Sequence, residues 1–189
     1  MKRIVIFASG SGSNAENIIK YFQKNKLAKV TLVLSNKSAA NVLVRAKKLS
    51  VPSKTFNKSE LINSDRIANI LRNESPDLVV LAGFLLKFPK TILKDFPNKV
   101  INIHPALLPK YGGKGMYGML VHESVVKNKE SETGITIHYV NENYDEGTIL
   151  FQKSFQLSEN DTSESVANKI HELEYEFFPK VIEEILDKG

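Results

Sequence analysis

An amide and an imidazole stand two residues apart at the end of a strongly apolar segment. The segment is VINIHPALLP, residues 100–109, in which Asn102 and His104 interrupt a run of valine and isoleucine. Residues i and i+2 of a β-strand point to the same face, so these two polar side chains are expected to project together. Pro105 then ends the regular structure and restricts His104 to extended conformations.

This pair has the chemistry of an acyl-transfer site. An amide NH2 can donate to an oxygen that becomes negative, and an imidazole can move a proton near neutral pH. No Ser or Cys nucleophile stands in an elbow motif nearby, and the chain contains no cysteine. We therefore expect direct transfer between two bound substrates. For the pair taken alone, the alternative is a polar strand end with a structural role.

Asp145 is the candidate third member of the site. It lies in the turn-like segment NENYDEG, residues 141–147, between two predicted strands. An aspartate in a turn is commonly structural. If the turn folds over the strand end, however, Asp145 is expected to lie near His104 and to raise its pKa.

A glycine-rich turn, ASGSGSN at residues 8–14, separates the first predicted strand from the first helix. Its amides and the positive end of that helix suit an anion. It is not a Walker A loop, and Ala15 departs from the G-x-G-x-x-G dinucleotide pattern. A single phosphate is therefore the expected ligand, the alternative being a turn that only connects strand to helix.

Alternating strand and helix patterns indicate how these motifs are positioned. Short β-branched runs alternate with helical spacings through the first hundred residues, which predicts a parallel sheet with crossover helices. In the second half, GITIHYV (134–140) and TILFQKSFQL (148–157) favour an antiparallel pair or a mixed sheet edge. A last helix is expected over about 163–186, with a bend at Pro179.

The predicted fold class is α/β: a single Rossmann-like domain with a mostly parallel sheet, helices on both faces and a mixed or antiparallel C-terminal part. In such sheets, ligands bind outside the carboxyl ends of the strands. The glycine turn and the Asn102–His104 pair are both expected at that edge.

Composition narrows the function classes. The 42% hydrophobic and 25% charged residues are typical of an ordinary globular protein, and the net charge of +5 is spread along the chain. That spread favours a lysine-rich solvated surface, with attraction for an anionic substrate as the alternative; no nucleic-acid-binding module is found.

No segment approaches the roughly 20 apolar residues of a membrane span, and the N-terminal run is too short for a signal peptide. A cytoplasmic protein without a nucleic-acid or membrane partner is expected.

The motifs together resemble the formyltransferase family that uses 10-formyltetrahydrofolate, in particular its phosphoribosylglycinamide formyltransferase members. The segments that carry the resemblance occur in the family's order: FASGSGSN, LAGFLLKFP, VINIHPALLPKYGG, GITIHYVNENYDEG and ELEYEFFP. The core NIHPALLP with a downstream D-x-G marks the wider family. The phosphate turn and the compact length point to the members that act on glycinamide ribonucleotide.

The resemblance implies roles for the matching residues. Asn102, His104 and Asp145 match the catalytic trio. The residues implied in binding the ribonucleotide are Gly12, Ser13 and Asn14 at its phosphate and Glu174 at its glycinamide end. The residues implied in binding the folate are Arg66, Leu85, Leu86, Lys87, Phe88, Asn102, Asn141, Glu142, Asn143, Tyr144 and Asp145.

The implied activity is transfer of a formyl group from 10-formyltetrahydrofolate, a co-substrate, to the amine of 5-phosphoribosylglycinamide in purine biosynthesis. Protonated His104, kept charged by Asp145, is expected to stabilise a tetrahedral intermediate, without a metal. Residues 1–189 are expected to form one formyltransferase domain, with a phosphate-binding half at about 1–100 and a catalytic and folate-binding half at about 100–189. The partners are small-molecule substrates, and the protein is expected to be a monomer or homodimer.

One departure from the family pattern is the segment GGKGMYGMLVHESV, residues 112–125, which is several residues longer than in many members. It is predicted to be a glycine-rich loop leading into a helix at about Tyr117. His122, like His138 further on, is a candidate rim residue, although a lone histidine is more often structural.

Two kinds of alternative function remain at this point. One is another formyltransferase, acting on a tRNA-bound methionine or a nucleotide-sugar amine; a tRNA formylase usually carries an extra C-terminal domain. The other is a non-catalytic nucleotide-binding module, which explains the glycine turn but gives Asn102 and His104 no role.

Overall fold

Seven strands form one sheet in the order β3-β2-β1-β4-β5-β6-β7 in the computed structural model, which describes residues 1–188. The strands are β1 (Lys2–Phe7), β2 (Ala28–Ser35), β3 (Ser53–Thr55), β4 (Leu78–Leu81), β5 (Val100–His104), β6 (Glu132–Tyr139) and β7 (Ile149–Gln156). The helices are α1 (Ser13–Asn25), α2 (Asn41–Lys48), α3 (Lys58–Ile62), α4 (Arg66–Glu74), α5 (Lys90–Asp95), α6 (Met119–Lys127) and α7 (Ser163–Lys188).

The pairing confirms the predicted fold class. Strands β1 to β5 pair in parallel, whereas β6 is antiparallel to both β5 and β7. Helix α6 begins at Met119 rather than at about Tyr117, and α7 continues through Pro179 to Lys188 as one helix. None of the helices in the described chain combines the length and the apolar character that a membrane crossing requires.

Apolar side chains cover both faces of the sheet, as the unbroken hydrophobic strands require. Ile101 and Ile103 of β5 belong to the cluster on the side of α1 and α7, while Val100 belongs to the cluster on the side of α4 and α5. Since side chains alternate along a strand, Asn102 and His104 share the face of Val100. Asn102 and His104 thus project from the same face of the sheet, as predicted.

Candidate active site

A cavity opens where β1, β4 and β5 end, three neighbouring strands of the sheet. Its wall includes residues 10–14 after β1, residues 82–85 after β4 and residues 102–105 at the end of β5. The glycine-rich loop at 113–119 and parts of α6 and α7 complete the lining. The sheet topology thus brings the predicted anion turn and the Asn102–His104 pair to one cavity, in keeping with the rule for open α/β sheets.

Asp145 approaches both residues of the pair from the turn between β6 and β7. Its Oδ2 lies 3.6 Å from His104 Nδ1, and its Oδ1 lies 3.5 Å from Asn102 Nδ2. The backbone N–H of Gly113 donates to Asp145 Oδ2 at 2.9 Å. Asp145 has a left-handed backbone conformation with φ 56°, which Asp tolerates better than most residues. The structure therefore brings the three predicted catalytic residues together.

The hydrogen bonds of His104 define which ring nitrogen is free to react. Nε2 lies 2.7 Å from the carbonyl oxygen of Tyr111. Because a carbonyl only accepts, Nε2 carries the proton of the neutral ring. Nδ1, which faces Asp145, is therefore the nitrogen that gains and loses a proton.

Burial is the larger influence on the protonation of His104. The side chain is buried, and this burial lowers its pKa below the ordinary value, although the carboxylate of Asp145 and the Tyr111 carbonyl oppose the shift. The Asp145 carboxylate does raise the pKa of His104, as expected. The expectation that it keeps His104 charged is nevertheless not met, because with a lowered pKa His104 is neutral at neutral pH.

Asp145 is ionised in this site. Its own burial raises the pKa, but the polar groups around the carboxyl, among them the Gly113 N–H, outweigh burial and hold the pKa below its usual range. A fixed negative charge beside His104 Nδ1 stabilises the imidazolium whenever Nδ1 takes up a proton.

His138, which the sequence marked only as a candidate rim residue, contacts the predicted catalytic residues directly. The β5–β6 register places it directly opposite Asn102. Its Nδ1 lies 2.9 Å from the Tyr139 carbonyl oxygen and must carry a proton, so Nε2 accepts from Asn102 Nδ2 at 3.1 Å. His138 thereby orients the Asn102 amide. The sequence predicted an antiparallel pair or a mixed sheet edge for the segments of β6 and β7, but not the pairing of β6 with β5 or the register that places His138 opposite Asn102.

The anion turn is built around Gly12, the residue that precedes α1. Gly12 is left-handed with φ 74°, and no side chain caps the first turn of the helix. The amides at the start of α1 are therefore open to the cavity lined by Gly12, Ser13 and Asn14. This arrangement agrees with the predicted site for a single phosphate.

Glu174 of α7 lies beside the anion turn. It is buried, and its Oε2 accepts from Asn14 Nδ2 at 2.8 Å and contacts His171 Nδ1 at 3.0 Å. The hydrogen bond to Glu174 raises the pKa of His171, against the opposing effect of burial. The predicted ribonucleotide residues and the Asn102–His104–Asp145 trio thus line the same cavity.

Replacing Gly12 by alanine should destabilise the fold by about 2–4 kcal/mol, because left-handed backbone and overpacking each cost roughly 1–3 kcal/mol. An added Cβ would lie 2.4 Å from Val42 Cβ and 2.6 Å from its Cα. Urea unfolding monitored by circular dichroism measures the change. Gly10→Ala is the matched control, since its Cβ would meet nothing within 4 Å; equal stability of the two variants would contradict this account.

The predicted folate-binding residues are only partly gathered at the cavity. Leu85 and Tyr144 line it, and Lys87 Nζ lies 5.9 Å from the centre of the Tyr144 ring. Phe88 is instead a core residue that packs edge-on against Phe7, and Leu86 packs against the same apolar cluster.

The remaining predicted folate residues lie outside the cavity lining. Arg66 begins α4 and pairs with Glu60. Asn141, Glu142 and Asn143 shape the turn that carries Asp145: Asn141 Oδ1 accepts from the Asn143 N–H at 2.9 Å, and Glu142 forms an ion pair with Lys90. Folate contacts for these residues stay predictions. Within residues 1–188, no group of three His, Asp or Glu side chains is placed to hold a metal ion.

Comparison with known proteins identifies the family. Residues 2–182 match the family described as formyl transferase. A phosphoribosylglycinamide formyltransferase of Bacillus subtilis (strain 168) is 36% identical over 98% of this chain and 95% of its own length. A chloroplastic phosphoribosylglycinamide formyltransferase of Arabidopsis thaliana is 35% identical over 99% of this chain, which spans 66% of that relative.

Solved structures give the same result. The crystal structure of phosphoribosylglycinamide formyltransferase from Bacillus halodurans superposes with a TM-score of 0.87 at 34% identity, covering 99% of this chain and 96% of that one. The corresponding structure from Anaplasma phagocytophilum has a TM-score of 0.89 at 32% identity and covers 99% of this chain and 88% of that one. This chain belongs to the formyl transferase family.

Proposed function

We propose that this protein transfers the formyl group of 10-formyltetrahydrofolate to the amine of 5-phosphoribosylglycinamide, the reaction of phosphoribosylglycinamide formyltransferase in purine biosynthesis. The observation that carries the proposal is one cavity that joins the anion turn at Gly12 to the trio of Asn102, His104 and Asp145. A phosphate held at the turn directs the rest of a phosphorylated amine toward the trio. The names of the Bacillus subtilis and Arabidopsis thaliana relatives support the same activity.

In the first step, the substrate amine attacks the formyl carbon and the carbonyl electron pair moves onto oxygen. Asn102 Nδ2 has two N–H groups: one donates to His138 Nε2, and the other has only the 3.5 Å contact with Asp145. The second N–H is available to the developing oxyanion. A preformed donor of this kind stabilises the tetrahedral intermediate without reorganisation.

His104 moves the proton that the reaction must transfer. Neutral Nδ1 accepts it from the attacking nitrogen, and the imidazolium formed is stabilised by Asp145 at 3.6 Å. When the bond between the formyl carbon and N10 of the folate breaks, His104 returns the proton to N10. The products are formylglycinamide ribonucleotide and tetrahydrofolate, with His104 neutral again.

We extend this proposal to the whole chain and its substrates. Residues 1–189 act as one formyltransferase domain, with Gly12, Ser13, Asn14 and Glu174 binding the ribonucleotide. Leu85 and Tyr144, which line the same cavity, contact the folate. The enzyme works on small molecules in the cytoplasm, as a monomer or homodimer.

An assay of the purified protein with both substrates tests the proposal directly. Formation of tetrahydrofolate should require glycinamide ribonucleotide and should be accompanied by formylglycinamide ribonucleotide, identified by mass spectrometry. Nucleotide-sugar amines and methionyl-tRNA serve as competing acceptors. Faster formylation of either one would overturn the assignment, as would binding of the ribonucleotide without any transfer.

Asp145→Asn should lower kcat by about tenfold or more, a part of the ~100- to 10,000-fold supplied by general acid–base catalysis. The asparagine oxygen still accepts from Gly113, but the charge that raises the pKa of His104 is removed. His138 and Glu174, the other groups acting on His104, remain. The pKa therefore falls further, and His104 stays neutral to a lower pH.

The measurement is kcat/KM as a function of pH. Its acid limb, where His104 becomes protonated in the free enzyme, should move to lower pH in Asp145→Asn. Glu146→Gln removes a carboxylate from the same turn, outside the cavity lining, and should leave the limb in place. A limb that stays or moves to higher pH in Asp145→Asn would contradict the role of Asp145.

A further inference from the structure

Two acceptors compete for the single proton of the neutral His104 ring. The carbonyl oxygen of Tyr111 lies 2.7 Å from Nε2, whereas Asp145 Oδ2 lies 3.6 Å from Nδ1. Only a ring with its proton on Nε2 leaves Nδ1 free to accept a proton from a substrate. If the Tyr111 carbonyl moved away, the Asp145 carboxylate would draw the proton to Nδ1, and His104 would lose its role as a base.

The backbone that carries this carbonyl adopts a conformation that needs support. Tyr111 has a left-handed φ of 56°, which is costly for a residue with a bulky side chain. The next two residues, Gly112 and Gly113, have no side chains that could hold it in place. Such a conformation persists only where the surrounding contacts fix it. The contacts of the Tyr111 side chain therefore bear on the position of its carbonyl.

These contacts join the Tyr111 hydroxyl to the residues that follow α6. The hydroxyl donates to Glu130 Oε1 at 2.8 Å and accepts from Asn128 Nδ2 at 2.8 Å. Lys110 Nζ in turn donates to the two carboxylate oxygens of Glu130 at 3.2 Å and 3.1 Å. None of these four residues lines the cavity of the proposed active site. The contact between the Tyr111 carbonyl and His104 is thus their link to the catalytic trio.

We propose that Tyr111 is a positioning residue: its hydroxyl anchors the backbone so that its carbonyl keeps the His104 proton on Nε2 and leaves Nδ1 free to react. This inference rests on the proposed function, in which His104 moves a proton. Nδ1 accepts that proton from the substrate amine and returns it to the folate nitrogen. The proton on Nε2 stays on the ring throughout, so the balance of the reaction is unchanged.

Tyr111→Phe tests the anchor, because it keeps the ring and removes the hydroxyl. It should lower kcat about tenfold, a part of the ~10,000-fold that a wrong histidine tautomer costs in a serine protease. KM for both substrates should change little, since Tyr111 lies outside the cavity lining. Tyr21→Phe is the matched control: it removes a tyrosine hydroxyl that donates to Glu183, also outside the cavity lining, and should leave kcat unchanged.

The tautomer itself is measured by NMR of the imidazole nitrogens at a pH where His104 is neutral. The proton should lie on Nε2 in the parent and in Tyr21→Phe, and should be shared with Nδ1 in Tyr111→Phe. Glu130→Gln keeps an acceptor for the hydroxyl and should behave like the parent. If Tyr111→Phe does not fold, Glu130→Leu, which removes that acceptor, carries the same comparison against Glu130→Gln.

The pH dependence of kcat/KM gives a second readout. Burial lowers the pKa of His104 and His138 adds to this effect, whereas Asp145, the Tyr111 carbonyl and Glu174 raise it. Weakening the carbonyl contact lowers the pKa further, so the acid limb should move to lower pH in Tyr111→Phe.

A cycle with His104→Ala shows whether Tyr111 acts through His104. In that background, Tyr111→Phe should slow single turnover no further. An additional loss there would overturn the inference, as would a parent-like kcat and tautomer in Tyr111→Phe or an equal loss in Tyr21→Phe. A parent that does not formylate glycinamide ribonucleotide would instead refute the proposed function, and the NMR comparison would still decide whether Tyr111 sets the tautomer.

Discussion

His104→Ala should lower kcat by about 100- to 10,000-fold, the range of a general acid–base group, while the fold is retained. Without the imidazole, no side chain in the trio can accept the amine proton at neutral pH and return it to the folate nitrogen. Asp145 cannot substitute, because its pKa is held below the usual range and the carboxylate is a weak base. Single-turnover kinetics with both substrates saturating isolates this step from binding.

His104→Gln separates catalysis from structure at the same position. Glutamine can still donate to the Tyr111 carbonyl, the contact that His104 Nε2 makes at 2.7 Å, but it cannot accept and return a proton. We expect it to restore the thermal stability of the parent without restoring kcat. If His104→Gln turned over at a rate near the parent, His104 would be a structural residue and the proposed proton transfer would be wrong.

Asn102→Ala should lower kcat by about 100- to 1,000-fold, the usual loss when one oxyanion donor is removed. Two effects combine here. The N–H that faces the developing oxyanion is lost, and His138 Nε2 and Asp145 Oδ1 lose the amide that lies 3.1 Å and 3.5 Å from them. KM for the ribonucleotide should change little, because the donor acts mainly in the transition state.

Asn102→Asp sharpens the test, since aspartate keeps the shape of asparagine but has no N–H and adds a charge beside Asp145. We expect it to be at least as slow as Asn102→Ala. Asn69→Ala, on the exposed face of α4, controls for the loss of an amide elsewhere. Near-normal turnover in either Asn102 variant would exclude this residue as the oxyanion donor.

The features that depend only on local backbone geometry were predicted well from the sequence. Asn102 and His104 share a face because side chains alternate along any strand, whatever surrounds it. The turn at Gly12 lines the cavity at the carboxyl ends of the strands because it joins a parallel strand to the start of a helix. These features follow from a few consecutive residues.

The predicted folate-binding residues show that a match between a sequence segment and a family does not determine where each side chain of the segment lies. Leu85 and Phe88 belong to one matched segment, but Leu85 lines the cavity while Phe88 packs into the core against Phe7. Arg66 pairs with Glu60 outside the cavity lining. A matching segment indicates which part of the chain approaches a site, whereas the direction of each side chain depends on packing around it.

The sequence by itself determined the α/β fold, the shared orientation of Asn102 and His104, and the glycine-rich turn before α1, because each follows from short-range periodicity or from the conformational freedom of glycine. The tertiary structure decided the rest. Asp145 reaches His104 only because β6 and β7 return antiparallel beside β5, and the register of that pairing places His138 against Asn102. It also decided the charge of His104: burial, which depends on the whole fold, lowers the pKa more than Asp145 raises it.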